Sequence, residues 1–257
     1  METLSVVIIT RNEAARIRAC LESVAWAGEI VVVDSQSEDA TAAICAEFTP
    51  RVYVRPWPGY ASQKNFGIEQ ATGDWILILD ADERVSPRLA AEIRTLLAGT
   101  PLHPVYRIPF RNYLGNTWLA HGGLYPDYHP RLFRRGHARY GEREIHEKLE
   151  FNGTLGSLEG PIEHLTYADL ATYLHKVNHY TSLEAEWLAR TGFRVRWWHF
   201  LKPIPRFFKY FIRKQGWRDG FRGLASAVLL ALYPLLIYVK VLERQDVAKA
   251  SKDSSDF

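Results

Sequence analysis

Asp74-Trp75-Ile76-Leu77-Ile78-Leu79-Asp80-Ala81-Asp82-Glu83 decides the fold. Its Trp, Ile and Leu residues make an uninterrupted apolar run of strand length, the pattern of a strand covered on both faces. The run stops in three acids within four residues, Asp80, Asp82 and Glu83. Carboxylates at the C-terminal end of such a strand face the crevice in which open α/β sheets bind ligands. Asp80 and Asp82 are two apart, so an extended chain directs both the same way and they can share one hard cation. Such a cation is suited to holding a diphosphate.

The segments upstream repeat the pattern. LSVVIIT (Leu4 to Thr10) is a β-branched run that predicts a buried parallel strand, followed by Arg11-Asn12-Glu13. Asn12 is expected to cap a helix carrying Ile17, Cys20, Leu21 and Val24 on one face. EIVVVD (Glu29 to Asp34) predicts a second strand, Ala40 to Phe48 a helix, Arg51 to Arg55 a third strand, and Tyr60 to Gln70 a helix presenting Gln63, Lys64 and Asn65. Ser86-Pro87 then opens a helix that ends near Gly99, with Ser86 at N-cap and Pro87 at N1. This β-α alternation predicts an α/β fold, Rossmann-like, with a mostly parallel sheet and helices on both faces. Arg11 and Glu13, Asp34 and Ser35, and Asp80 and Asp82 should all lie on one edge of it. Neither G-x-G-x-x-G nor G-x-x-x-x-G-K-[ST] is present, which removes the main support for dinucleotide and P-loop readings.

Beyond Gly99 the character changes. Val105 to Tyr113 and Arg131 to Arg135 read as strands, joined by a long loop rich in Gly, Tyr and His (Gly115 to Pro130) that has the marks of a functional lid. A hairpin is expected around Asn152-Gly153, then a strand-like run to His164. Tyr167 to Ala189 reads as a helix with Leu170, Leu174, Val177 and Leu188 along one face. From Arg190 to Arg222, ten Lys and Arg residues alternate with aromatic ones against a single acid, Asp219. Leu224 to Val239 is uncharged and apolar, shorter than the roughly 20 residues a spanning helix needs, and Pro234 is expected to kink it. A basic, aromatic segment beside a short apolar helix fits a monotopic anchor at a membrane surface, with a buried core helix or a dimer seam as the alternative. The same interleaving can bind single-stranded nucleic acid, but the apolar helix would have no use there, so no nucleic-acid partner is expected.

At 257 residues, 47% hydrophobic and 24% charged, the chain can bury a sizeable core. We divide it into a catalytic domain over residues 1–165 and a C-terminal helical region over 166–257. Cys20 and Cys45 lack metal-ligand spacing and read as small core residues of a reducing compartment. Met1-Glu2-Thr3 runs straight into a strand, so the catalytic part is expected on the cytoplasmic side.

Four motifs, in order, carry a resemblance: Val6 to Glu13 (VVIITRNE), Val32 to Thr41 (VVDSQSEDAT), Gln63 to Gly67 (QKNFG) and Asp80-Ala81-Asp82. Together they resemble inverting family-2 glycosyltransferases of the GT-A fold. Tyr125 to Arg135 (YPDYHPRLFRR) and Ile145-His146-Glu147 are similar to the branch that includes lipopolysaccharide-core glucosyltransferases. The resemblance implies transfer of a hexose, glucose by preference, from a UDP-sugar to a hydroxyl of a lipid-linked or lipopolysaccharide-type acceptor, at the cytoplasmic face of a membrane. Carried over by position, it implies that Thr10, Arg11, Glu13, Asp34, Asp39, Lys64, Asp80 and Ala81 border the nucleotide sugar. Asp34 would meet the uracil, and Asp82, with Asp80 and His164, would ligate Mg²⁺ or Mn²⁺.

The chemistry requires neutralising the leaving diphosphate and deprotonating the acceptor hydroxyl. Glu147 is the first candidate base and Asp127 the second, since the acidic pair of relatives is here His146-Glu147. Arg131, Arg134 and Arg135 are candidates for phosphates of the donor or of an anionic acceptor. Two other classes compete. A sugar nucleotidyltransferase would show a Gly-rich loop after the first strand, where Thr10-Arg11-Asn12-Glu13 has none. A non-catalytic nucleotide-sugar-binding partner would have no need of both Asp80 and Asp82.

Overall fold

The computed structural model describes residues 2–115, 117–141, 148–167 and 170–253. Two compact units emerge, Met1–Arg111 with Pro126–Leu165, and Asn112–Tyr125 with Thr166–Phe257.

In chain order the strands are β1 (Leu4–Thr10), β2 (Glu29–Asp34), β3 (Val52–Val54), β4 (Trp75–Asp80), β5 (Glu83–Val85) and β6 (Val105–Leu114). After β7 (Thr117–Trp118) come β8 (Asp127–Arg134), β9 (Ala138–Tyr140), β10 (Leu149–Phe151), β11 (Leu155–Ser157) and β12 (Ile162–Tyr167). The helices are α1 (Ile17–Val24), α2 (Thr41–Ala46), α3 (Tyr60–Gln70) and α4 (Pro87–Ala98). The main sheet runs β3-β2-β1-β4-β8-β6-β12-β5. The first four strands are parallel, with β1 at the centre between β2 and β4. β8 pairs antiparallel with β4 and β6, and β12 antiparallel with β5, while β11 pairs parallel with β6, so the sheet is mixed where the sequence predicted it mostly parallel. The physical reason is visible in the chain: no helix intervenes between β6 and β8, and a parallel return needs a crossover of a dozen or more residues. The expected hairpin at Asn152-Gly153 also fails to form, because β10 pairs with β9 and β11 pairs with β6.

Every residue of β1 is buried, and its alternate side chains serve two cores. Leu4, Val6 and Ile8 join Ile17, Cys20, Leu21 and Val24 of α1 and Leu89, Ile93 and Leu97 of α4. Val7, Val31, Ile76 and Ile78 form the second core with Phe133, Tyr140, Ala61 and Ile68. Each Val, Ile or Leu side chain so buried contributes about 1.5–3 kcal/mol. Ser86 Oγ accepts from Leu89 N at 3.2 Å, Pro87 follows at N1 and Gly99 terminates α4, as its sequence predicts. Asn12 instead adopts φ 53° and caps no helix; α1 starts at Ile17 without a side-chain cap.

The second core has one unusually close approach. A methyl group built on Gly67 of α3 would lie 2.3 Å from Val7 Cγ1 and 3.1 Å from Val33 Cγ2. Without that side chain, α3 lies directly on β1 and β2. Lys64, one helical turn earlier, is thereby buried beneath the C-terminal end of the sheet. Asn65 locks the helix from the other side, donating to Tyr140 O at 2.9 Å and accepting from Tyr140 N at 2.9 Å.

The second unit is helical. It contains α5 (Leu170–Arg190), α6 (Pro203–Phe208) and α7 (Gly220–Asp253), with short turns between them. Val177, Thr181 and Ala185 form the buried face of α5, and Ala185 clusters with Ile237 and Val241 of α7. Leu170 and Leu174, expected on that face, are exposed. α7 is helical on both sides of Pro234, so the expected kink does not end the helix; the proline removes only one intrahelical hydrogen bond. Phe221, Val228, Leu232, Leu236 and Val239 form an exposed apolar stripe along α7, while Ala227, Ala231, Ile237 and Val241 face inward. Gly216–Asp246 is the one stretch among the described residues long and apolar enough to cross a membrane by length and composition. Its uncharged centre, Leu224 to Val239, extends only about 24 Å against a hydrocarbon core of about 30 Å.

The segment Asn112–Tyr125 belongs to this helical unit, although the sequence placed it in the catalytic domain. Asp219, the lone acid of the basic stretch, explains the attachment. It accepts from His121 N at 2.8 Å and lies 2.7 Å from His121 Nδ1. Gly122 N donates to Lys214 O at 2.8 Å beside it.

The contact at Gly67 yields a stability prediction. Gly67→Ala forces a methyl onto a stiff, fully buried valine and should destabilise the protein by about 1–3 kcal/mol. Urea unfolding followed by circular dichroism checks this; an unchanged midpoint would mean that α3 can lift from β1 without penalty.

Candidate active site

The parallel register brings the ends of three strands to one edge, with Thr10 beside Asp34 and Ile9 beside Asp80. Two loops there are knitted by short-range polar contacts. Asn12 N donates to Ser37 Oγ at 2.8 Å, and Glu38 N donates to Asn12 Oδ1 at 2.8 Å. Asp34 is buried and accepts from Ser37 N at 2.8 Å and Ser37 Oγ at 2.5 Å. Asp39 accepts from Ala14 N at 3.1 Å and Thr41 N at 2.9 Å, which ties the loop after β1 to the start of α2. Glu13 N donates to Thr41 Oγ1 at 2.8 Å, and Arg11 is exposed. Asp34, Asp39 and Glu13 thus build the rim as well as bordering it. Thr10 Oγ1 and Gln63 Oε1 are buried with no hydrogen-bond partner among the described residues, and such atoms call for an explanation of the kind a ligand supplies.

Asp80 ends β4 between two cations. Lys64 Nζ lies 3.3 Å from Oδ1, and Arg131 Nη2 lies 3.4 Å from Oδ2. Arg131 also donates to Glu83 Oε1 at 2.8 Å, and the second Glu83 oxygen accepts from Asp80 N at 3.0 Å. Burial would raise the Asp80 carboxyl, but the Lys64 ammonium and the Arg131 guanidinium outweigh it and hold it well below the usual carboxylate range. Glu83 is more deeply enclosed. Burial lifts it to about 7, with Arg131 opposing and Asp80 adding to the rise. Lys64 also sits 5.1 Å from the Tyr140 ring centroid, and Arg131 5.0 Å from that of Phe110, so both cations rest on aromatic faces.

Asp82 does not follow the alternation of the strand. β4 ends at Asp80, and Ala81-Asp82 form a turn before β5. Ala81 is part of the hydrophobic core, so only its backbone can border a ligand. The β5–β12 pairing sets His164 opposite Glu83, and His164 Nε2 lies 3.6 Å from Asp82 Oδ2. Among the described residues, no three His, Cys, Asp or Glu side chains gather into a group that could hold a metal ion. The expected trio of Asp80, Asp82 and His164 is therefore not assembled, because Lys64 and Arg131 take the Asp80 carboxylate. Asp82 and His164 still fit part of a divalent shell. Mg²⁺ bound with a nucleotide takes one or two protein carboxylates and completes its sphere with phosphate oxygens and water, and imidazole and carboxylate together suit Mn²⁺.

Beside this cluster opens a cleft of about 520 Å³ lined by Lys64, Asp80, His129, Arg131, Tyr140 and Lys148, with Leu149 and Phe151 on its wall. Asp127, the second candidate base, lies 3.0 Å from His129 Nε2. Glu147, the first candidate, and its neighbour His146 lie outside the described residues. Arg134 proves structural: it pairs with Glu2 and stacks on Trp75. Sequence reasoning treated Arg131 as one of three equivalent arginines and did not single out Glu83. Neither had a local signal: Arg131 stands at a register shift between β6 and β8, and Glu83 is buried only because β5 pairs with β12 and Arg131 comes over it.

Glycosyl transferase family 2 matches residues 5–150. The chain is 32% identical to the lipopolysaccharide core biosynthesis glycosyltransferase LpsC of Rhizobium meliloti, over 94% of this chain and 92% of that protein. It is 30% identical to an uncharacterized glycosyltransferase of Rickettsia felis, over 95% and 90% of the two chains. Among solved structures it is similar to S. aureus TarS 1–349 in complex with UDP-GlcNAc, with 14% identity, 98% and 92% coverage, and a TM-score of 0.49.

Arg131→Met leaves Glu83 and Asp80 short of a shared counter-charge in a buried setting. We expect a loss of about 3–5 kcal/mol in unfolding free energy. Differential scanning calorimetry would register it as a lowered midpoint, and a wild-type midpoint would show that solvent, not Arg131, neutralises the two acids.

Proposed function

The chain belongs to glycosyltransferase family 2, and from that premise we propose that it moves a hexose, glucose by preference, from a UDP-sugar to a hydroxyl of a membrane glycolipid, with metal dependence and inversion. One observation carries the reading: two cations, buried Lys64 and half-buried Arg131, converge on Asp80 at the ligand-binding edge of the parallel strands, beside Asp82 and His164. Such an arrangement is preorganised for an anionic leaving group.

In this proposal Thr10, Arg11, Glu13 and Asp39 border the nucleotide, and Asp34 accepts from the uracil with lone pairs left over from Ser37. Asp80, kept ionised by its two cations, accepts hydrogen bonds from donor hydroxyls. Asp82 and His164 would hold Mg²⁺ or Mn²⁺, which when bound supplies Lewis-acid neutralisation of the diphosphate. Lys64 adds charge at the same end. The acceptor hydroxyl attacks the anomeric carbon in line: the new C–O bond forms as the bond to the diphosphate breaks, and the hydroxyl proton passes to Glu147 or, failing that, to Asp127. One displacement inverts the anomeric centre.

The likeness to LpsC supports a lipopolysaccharide-core type of acceptor. The exposed apolar stripe of α7, with Trp197, Trp198 and Trp217 also exposed, supports a peripheral anchor on the cytoplasmic leaflet. Aromatic and apolar groups enter the interface there while Lys and Arg meet anionic headgroups.

UDP binding measured by isothermal titration should require Mn²⁺ or Mg²⁺ and collapse in Asp82→Ala, while Glu147→Gln keeps UDP binding and loses transfer. Metal-independent binding of full strength would remove the proposed site. For the anchor, the full chain should float with vesicles containing anionic lipid. Leu232→Glu combined with Leu236→Glu should leave it at the bottom of the gradient, and co-flotation of that variant would refute the stripe as the membrane contact.

A further inference from the structure

Arg55-Pro56-Trp57-Pro58-Gly59 links β3 to α3 and leaves the sheet at the ligand-binding edge. β3 runs parallel to β2 with Val54 opposite Asp34, and Arg55 N donates to Asp34 O at 2.9 Å. Trp57 follows three residues after Val54, a reach of at most about 10 Å. It is 39% exposed, and Tyr60, the first residue of α3, is 46% exposed. A lone exposed ring is ordinary, but these two are paired and their loop is stiff. The rings meet edge to face, 4.7 Å between centroids, which leaves a flat face of the indole uncovered by its partner. Pro56 and Pro58 fix their own φ and bias Arg55 and Trp57 toward extended backbone. Arg55 lays its guanidinium 4.4 Å from the ring centroid of Phe66, in the body of α3. The indole is thus presented with little freedom left to lose on binding.

A nucleobase has two kinds of surface. Its edge carries hydrogen-bonding groups, which Asp34 answers in the proposed function. Its faces are flat and gain from an aromatic ring lying against them. None of Thr10, Arg11, Glu13, Asp34 and Asp39, the residues assigned to the nucleotide, supplies a ring. The adjoining loop does. Beyond it the match continues, since Lys64 Nζ lies 5.8 Å from the Tyr60 ring centroid and 3.3 Å from Asp80 Oδ1. Indole, phenol and ammonium therefore follow one another in the order of a nucleoside diphosphate: base, ribose, diphosphate.

We propose that Trp57 stacks on the base of the donor nucleotide, with Tyr60 bracing the indole through their edge-to-face contact. The proposal rests on the transferase reading and deepens it, by naming what holds the face of the base whose edge meets Asp34. Stacking adds affinity without choosing among bases, because every base has a flat face, so the choice of uracil stays with the edge. Trp57 makes and breaks no bond, and its contribution belongs to donor binding and not to the displacement step.

The test titrates the full chain, in the presence of Mn²⁺, with UDP and with 5,6-dihydrouridine diphosphate. The second probe keeps the hydrogen-bonding edge and the diphosphate, but its saturated ring is puckered and stacks poorly. We expect the wild-type protein to bind UDP about tenfold more tightly than the dihydro compound, the scale of one stacked base. Trp57→Ala should bind the two alike, losing affinity for UDP and little for the dihydro compound. Trp57→Phe, which restores a flat ring, should keep most of the preference. Equal binding of the two probes by the wild-type protein overturns the proposal and leaves the transferase reading intact. So does a preference that survives in Trp57→Ala, including an equal loss for both probes, which would make Trp57 a support of the fold and not of the base. Failure of the wild-type protein to bind UDP with metal removes the proposed donor site, and the proposal with it.

Discussion

The site depends on holding one carboxylate ionised where the core meets the cleft. Asp80 ends a strand covered on both faces, where burial works against its charge. Lys64 from α3 and Arg131 from β8 reverse that balance. Neither cation is near Asp80 in sequence, so the pairing exists only when β4 sits between β1 and β8 and α3 lies on the sheet. The site therefore exists only in the folded sheet.

Two packing features set the distances. The absent side chain at Gly67 brings α3 onto β1 and places Lys64 within reach of Asp80. The antiparallel pairing of β8 with β4 brings Arg131 up from the other side, and Asn65 fixes α3 to Tyr140 through two hydrogen bonds. The QKNFG motif thus combines three roles in five residues: Lys64 for charge, Gln63 and Asn65 for buried polar contacts, Gly67 for closeness. Substitutions at the apolar end of that motif should be felt at its charged end.

Much of the first half was legible because periodicity and caps act locally. β1, β2, β4, α3 and α4 follow from apolar runs, and from Ser86, Pro87 and Gly99. The antiparallel half was less so: the missing helix between β6 and β8 speaks against a parallel return, but which strands β8, β11 and β12 pair with depends on neighbours distant in sequence. The acids after β4 were visible, but not their partners. The alternation rule for Asp80 and Asp82 failed because the strand ended between them, and strand ends are set by pairing with neighbours that a sequence does not display. Asn12 misled for a related reason: a residue able to cap a helix is equally able to take a left-handed turn, and contacts with Ser37 and Glu38 decided between the two.

The His121–Asp219 contact makes the chain interlaced rather than modular. The polypeptide leaves the sheet unit at residue 112, returns at 126 and leaves again at 166. No single cut frees a self-sufficient catalytic half: a fragment ending at residue 165 would retain a segment whose hydrogen-bonding partners had been discarded.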